Sequence, residues 1–165
     1  MMDEVIVVAA TVGATDLKPQ LLSEKMRELA LEARDLGGRV VSVGHRTLVF
    51  AFPLAWRSSV LRLARQAEPD PHFAFGVTVG ELMPLFDDDA TFVHGASIVI
   101  ACALSEAGLP GQMLAADAFV QLDARPLVTD DETLIQIDGG LRVKGHFVRL
   151  HELVASTRDV AKPWK

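Results

Sequence analysis

Apolar positions fall along this chain in blocks of two periods. Val5 to Val12 is a run of apolar, mostly β-branched residues that ends at Gly13, which predicts a buried strand. Leu17, Leu21, Leu22, Met26, Leu29, Ala30, Ala33 and Leu36 then recur at helical spacing. A helix therefore starts near Thr15 or Asp16, either of which can cap it, and stops at Gly37-Gly38. Two β-rich runs follow within Gly38 to Phe52, separated by Gly44-His45. Gly-X in a two-residue loop is the chemistry of a type II′ hairpin turn, with Gly44 at positive φ and His45 at the tip. The second arm, Leu48 to Phe52, is apolar at every position, which predicts a strand covered on both faces inside a sheet. Pro53 suits the start of a second helix through Ala67, with Leu54, Leu61 and Ala64 inward and Arg57, Arg62 and Arg65 outward. Pro69 and Pro71 punctuate its end.

His72 to Gly80 carries the clearest alternation: Phe73, Phe75, Val77 and Val79 against Ala74, Gly76, Thr78 and Gly80. One face of that strand is greasy and the other small. A solvated loop with Asp87, Asp88 and Asp89 comes next; the three carboxylates lack a second ligand group at EF-hand spacing, so no metal site is expected. Gly95 to Ala107 reads as a third helix, apolar all round from Ile98 to Leu104, and hence buried on more than one side. Leu109-Pro110-Gly111-Gln112 turns into a short strand, Met113 to Ala115, and a short helix through Leu122. Strands near Leu134 to Ile137 and Phe147 to Leu153 close the sheet. The expected organisation is one domain over residues 1–154 and a polar tail or linker over residues 155–165. Strand, helix, hairpin, helix, strand points to an α/β fold of the α+β kind: a ferredoxin-like βαββαβ core with an antiparallel-rich sheet flanked by helices.

Composition narrows the function. With 165 residues and 50% hydrophobic content there is ample material for one core. A net charge of -6, with no cluster of Lys and Arg, argues against a nucleic-acid or anionic-membrane surface. The opening Met-Met-Asp-Glu lacks a basic leader, no apolar run is long enough for a membrane span, and the single Cys102 forbids an internal disulfide; a cytoplasmic protein is expected. Cys102 reads as a buried thiol, and His45, His146 and His151 as turn, surface or edge histidines. There is no Walker-type loop, no Gly-X-Ser-X-Gly elbow and no Cys-X-X-Cys.

Taken together, Val7 to Thr15, Gly37 to Phe52, Phe75 to Gly80, Gly95 to Leu104, Pro110-Gly111-Gln112 and Val143-Lys144-Gly145 resemble the class III adenylate and guanylate cyclase homology domain, from Val5 to about Leu153. The resemblance implies a site between two subunits, and its residues are replaced one by one. The metal-binding aspartate that ends the first strand matches Ala10, and the second, at the hairpin tip, matches His45. Magnesium prefers carboxylate oxygens, so no two-metal site is expected. The base-reading lysine matches Val41, and the base-reading aspartate three residues before the helix glycine matches Phe92. On the third helix the asparagine matches Val99 and the transition-state arginine Ala103. Losing one preorganised charge stabiliser costs on the order of 100- to 1,000-fold in rate. The expectation is a catalytically inactive relative, with no cofactor or metal and no nucleotide expected.

Two function classes follow. The first is a dimerisation, protein-interaction or regulatory module in signalling, either a homodimer or a complex with another protein such as an active cyclase, through the former active-site face at Phe92, Val99 and Ala103. The alternative is a degenerate sensor that binds a nucleotide or another small ligand without turnover.

Overall fold

The β-branched, apolar run from Val5 makes an interior strand of the sheet: β1 (Asp3–Val12) is buried from Ile6 to Ala10 and flanked on both sides by other strands. The computed structural model describes residues 3–13, 17–67, 72–87, 89–122, 132–143 and 146–155. Thr15, Asp16, Pro69, Pro71, Asp88, Lys144, Gly145 and residues 156–165 lie outside the described residues.

Helix α1 spans Pro19–Asp35, a later start than Thr15 or Asp16 would give. Pro19 occupies the first turn, where a missing N–H costs nothing, and Lys18 is an N-cap whose side chain makes no capping bond. The helix stops as the paired glycines predict. Gly37 adopts φ 96°, its N–H donates to the Arg34 carbonyl, and the Gly38 N–H donates to the Ala33 carbonyl at 2.8 Å. That pair of bonds is a Schellman closure, and the Trp56 ring lies over Gly37 where a side chain would clash.

Strands β2 (Arg39–Val43) and β3 (Thr47–Pro53) form the expected hairpin, with β3 buried from Leu48 to Phe52. The turn is set one residue later than expected. The Gly44 N–H donates to the Thr47 carbonyl at 2.7 Å, so His45 and Arg46 are the central pair and Gly44 needs no positive φ. Pro53 ends β3 rather than opening a helix. A 3-10 turn, Leu54–Trp56, leads into α2 (Arg57–Ala67), which buries Val60, Leu61 and Leu63, while Leu54 stays exposed.

β4 (Phe73–Phe86) runs beyond Gly80 and turns into β5 (Asp89–His94) as a hairpin closed by Phe86 opposite Asp89. The expected acidic loop is the tip of this arm at Asp87 and the start of β5 at Asp89. α3 (Ala96–Ala107), β6 (Met113–Ala116), the short α4 (Asp117–Val120), β7 (Glu132–Val143) and β8 (His146–Ala155) complete the chain, both last strands being longer than predicted.

The sheet order is β2-β3-β1-β4-β6-β8-β7, with β5 paired to β4. Its first four strands carry the ferredoxin-like order, antiparallel throughout, and β6 joins parallel to β4. Alternation along β1 divides the core. Ile6, Val8, Ala10 and Val12 face the side covered by α1 and α2, and Val7 and Ala9 face α3. The small face of β4 is the seat of α3. A Cβ on Gly76 would overlap the Ala101 carbonyl and stand 2.5 Å from the Ser105 nitrogen, and one on Gly80 would stand 2.6 Å from the Ser97 Cβ.

Candidate functional site

The six positions singled out in the sequence fall on four elements and one turn, and on both faces of the sheet. Ala10 is fully buried on the α1/α2 side of β1, its methyl group part of the core formed with Phe50 and Phe52. Val41 sits at a bulge in β2 and packs, half-buried, on the opposite side beside Val93, Ile98 and Cys102. His45 is exposed at the β2–β3 turn. Phe92 on β5 is 56% exposed and meets Phe86 edge to face, ring centroids 6.2 Å apart. Val99 and Ala103, one helical turn apart, share a face of α3; Val99 is 40% exposed and Ala103 half-buried. The structure therefore brings Val41 and α3 to one side of the sheet and leaves Ala10 on the other.

Register explains what gathers at the end of β1. The Val12 N–H donates to the Arg46 carbonyl at 2.9 Å, and the Arg46 guanidinium reaches back to the Val12 carbonyl at 3.3 Å. A fixed positive charge thus stands beside the strand end where the resemblance places a pair of metal-binding carboxylates. Ala10 offers no donor atom and His45 only an imidazole, so this donor set does not fit a magnesium pair. Among the described residues no three His, Cys, Asp or Glu side chains are grouped so as to hold a metal.

On the other face, hydroxyls tie the strands to α3. Ser105 donates to the Cys102 carbonyl at 2.8 Å, which spends its one proton, so Thr11 donates to Ser105 at 2.6 Å and Thr47 to Thr11 at 3.2 Å. The buried side of α3 carries Ala101 and Leu104 together with two serines. Ser97 and Ser105 are buried under it, the Ser97 hydroxyl without a partner, while Val99 faces outward. A helix apolar from Ile98 to Leu104 is thus buried along one side and its flanks, rather than all round. Burial, and then the nearby Glu106 carboxylate, push the Cys102 thiol above its ordinary pKa, which fits an inert side chain.

Three features escaped the sequence. The β4–β5 arm carries Leu85, Phe86 and Phe92 into solvent; Pro84 disguised it, since proline is scarce inside strands. Arg46 showed nothing of its reach to Val12. His151 is not a plain edge histidine: its ring nitrogen contacts the Asp117 carboxylate, 34 residues away, a pairing only β6 beside β8 creates. No helix among the described residues is long and apolar enough to cross a membrane.

No protein-family model matches this sequence, and no curated protein is detectably similar to it. Solved structures are. An adenylate/guanylate cyclase/hydrolase from Silicibacter pomeroyi superposes with a TM-score of 0.71 at 18% identity, covering 95% of this chain and 99% of that one. The guanylate cyclase domain of RhGC from Catenaria anguillulae, solved with GTP, gives 0.68 at 12% identity over 95% of this chain and 98% of its own. An adenylate cyclase from Trypanosoma brucei, solved in a monomeric state, gives 0.71 at 15% identity over 99% of this chain and 95% of its own. At these identities the likeness is one of architecture, and by strand order, helix placement and extent the chain has the fold of the adenylate and guanylate cyclase domains.

Proposed function

We propose that this chain is a catalytically inactive cyclase-fold domain that serves as a dimerisation or regulatory module in signalling, engaging a second copy of itself, or another protein, through the face that carries Phe92, Val99 and Ala103. One observation carries the reading: α3 leaves an aliphatic side chain on its outer face. It buries Ser97 and Ser105, at 5% and 1% exposure, and presents Val99 at 40%. An exposed aliphatic side chain forfeits its burial, so covering the outer face of α3 is favourable. The β4–β5 arm adds Leu85, Phe86 and Phe92 at 60%, 53% and 56% exposure. An apolar face is self-complementary, whereas a wet, charged cyclase cleft set against it would hold unpaired charges, which favours the second copy.

The same positions support inactivity. Ala10, His45, Val99 and Ala103 supply neither metal carboxylates nor a transition-state cation. A nucleotide is not expected, for the chain carries a net charge of -6 and its sequence has no cluster of Lys and Arg.

Light scattering on purified protein tests the assembly. The wild type is expected as a dimer at micromolar concentration, and Val99→Asp, which buries an unpaired carboxylate at the contact, should weaken it by roughly 100-fold or more while circular dichroism is unchanged. A wild type that stays monomeric at high concentration, with Val99→Asp altering only solubility, contradicts the proposal.

A further inference from the structure

We infer that the cleft between α3 and the β6–β8 edge is a binding site for a small monocarboxylate with an apolar body. Beyond Val77, β4 has left its parallel partner β6, and the gap opens a cleft of about 550 Å³ lined by Thr78, Val79, Ile100, Asp117, Val148 and Arg149. That volume is in the range of small-molecule sites. Its walls are the aliphatic side chains of Val79, Ile100 and Val148, all half-buried. Two charges stand on it, and they are not equivalent. The Asp117 carboxylate is engaged by the His151 ring. Arg149 is exposed and makes no hydrogen bond or ion pair among the described residues.

A guanidinium with no partner among the described residues, on the lining of a largely aliphatic cleft, matches one carboxylate, which it can hold through two parallel N–H···O bonds while the hydrocarbon body lies against the aliphatic wall. A polyphosphate does not suit it, because one guanidinium cannot offset several charges beside Asp117 in a protein of net charge -6. The site is separate from the proposed contact: Ile100 lies on the flank of α3 turned to Val148, and Val99 and Ala103 on its outer face. It therefore goes beyond the assembly reading and survives or fails independently of it.

The test uses 3-phenylpropionate, 3-phenylpropanamide and 3-phenylpropylamine as probes, followed by amide chemical shifts of the whole chain. The acid should bind at about millimolar strength, as its size allows, and shift Thr78, Ile100 and Val148. A charge-assisted bond is worth roughly 1.5 kcal/mol or more, so the neutral amide should bind about tenfold more weakly, and the amine more weakly still. Arg149→Gln, a change at an exposed side chain, should erase the preference for the acid without altering the rest of the spectrum. Equal binding of all three probes, a preference that survives Arg149→Gln, shifts confined to Phe86, Phe92 and Val99, or no shifts at all would each overturn the inference.

Discussion

Gly76 shows how a single missing side chain sets the position of α3. Because a Cβ there would run into the helix backbone at Ala101 and Ser105, not into a flexible side chain, α3 must lift from the sheet to accept it. Overpacking of this kind costs roughly 1–3 kcal/mol, and Gly76→Ala should fall at the upper end in denaturant titrations, with the hydroxyl chain from Thr47 to Ser105 broken. Cys102, on the same helix, makes a second residue-level prediction. Its raised pKa means that the folded state holds the thiol proton more tightly than the unfolded state. The stability this contributes is complete below the ordinary thiol pKa and is lost as pH rises through the higher folded value, so the thiol should add to alkaline destabilisation and not to acid lability. Labelling with a thiol reagent near neutral pH should be slow in the folded protein, and Glu106→Gln should speed it by removing the nearby negative charge.

Among the elements, those defined by a clean period were legible in the chain and those defined by pairing were not. The alternation of Phe73 to Gly80 predicted a strand with one greasy and one small face; the greasy face lies in the core and the small face is the seat of α3. The all-apolar Leu48 to Phe52 lies inside the sheet, as its pattern requires. The turn between β2 and β3 slipped by one residue, because Gly44 pairs with Thr47 instead of occupying the tip, a choice fixed by register and not by glycine's freedom. β5 was missed since its identity rests on pairing with β4 past Pro84. The helix start was misplaced for a simpler reason: α1 begins at Pro19 behind an N-cap, Lys18, that is poorly suited to the place. Lys18→Asp should supply the absent capping acceptor and a favourable charge at the helix N-terminus, raising stability by about 1 kcal/mol in thermal or chemical melts. No change in that direction would mean that the N-terminal amides already have other acceptors.

At the scale of the whole molecule, the site positions follow from the resemblance, which aligns the chain on Gly44, Gly95 and Leu104. Their surroundings do not follow from the sequence, since the burial of Ser97 and Ser105, the reach of Arg46 to Val12 and the exposure of the β4–β5 arm depend on how the faces are stacked. The fold alone does not decide assembly, because a cyclase solved in a monomeric state shares it. The proposed assembly rests on the face instead, which exposes Leu85, Phe86, Phe92 and Val99. Cyclic nucleotide formation by the purified protein tests this account most directly, with ATP or GTP and either magnesium or manganese. The account predicts no product above a protein-free blank at any protein concentration, because metal and transition-state ligands are both absent. Turnover that persists through re-purification and scales with protein concentration would contradict it.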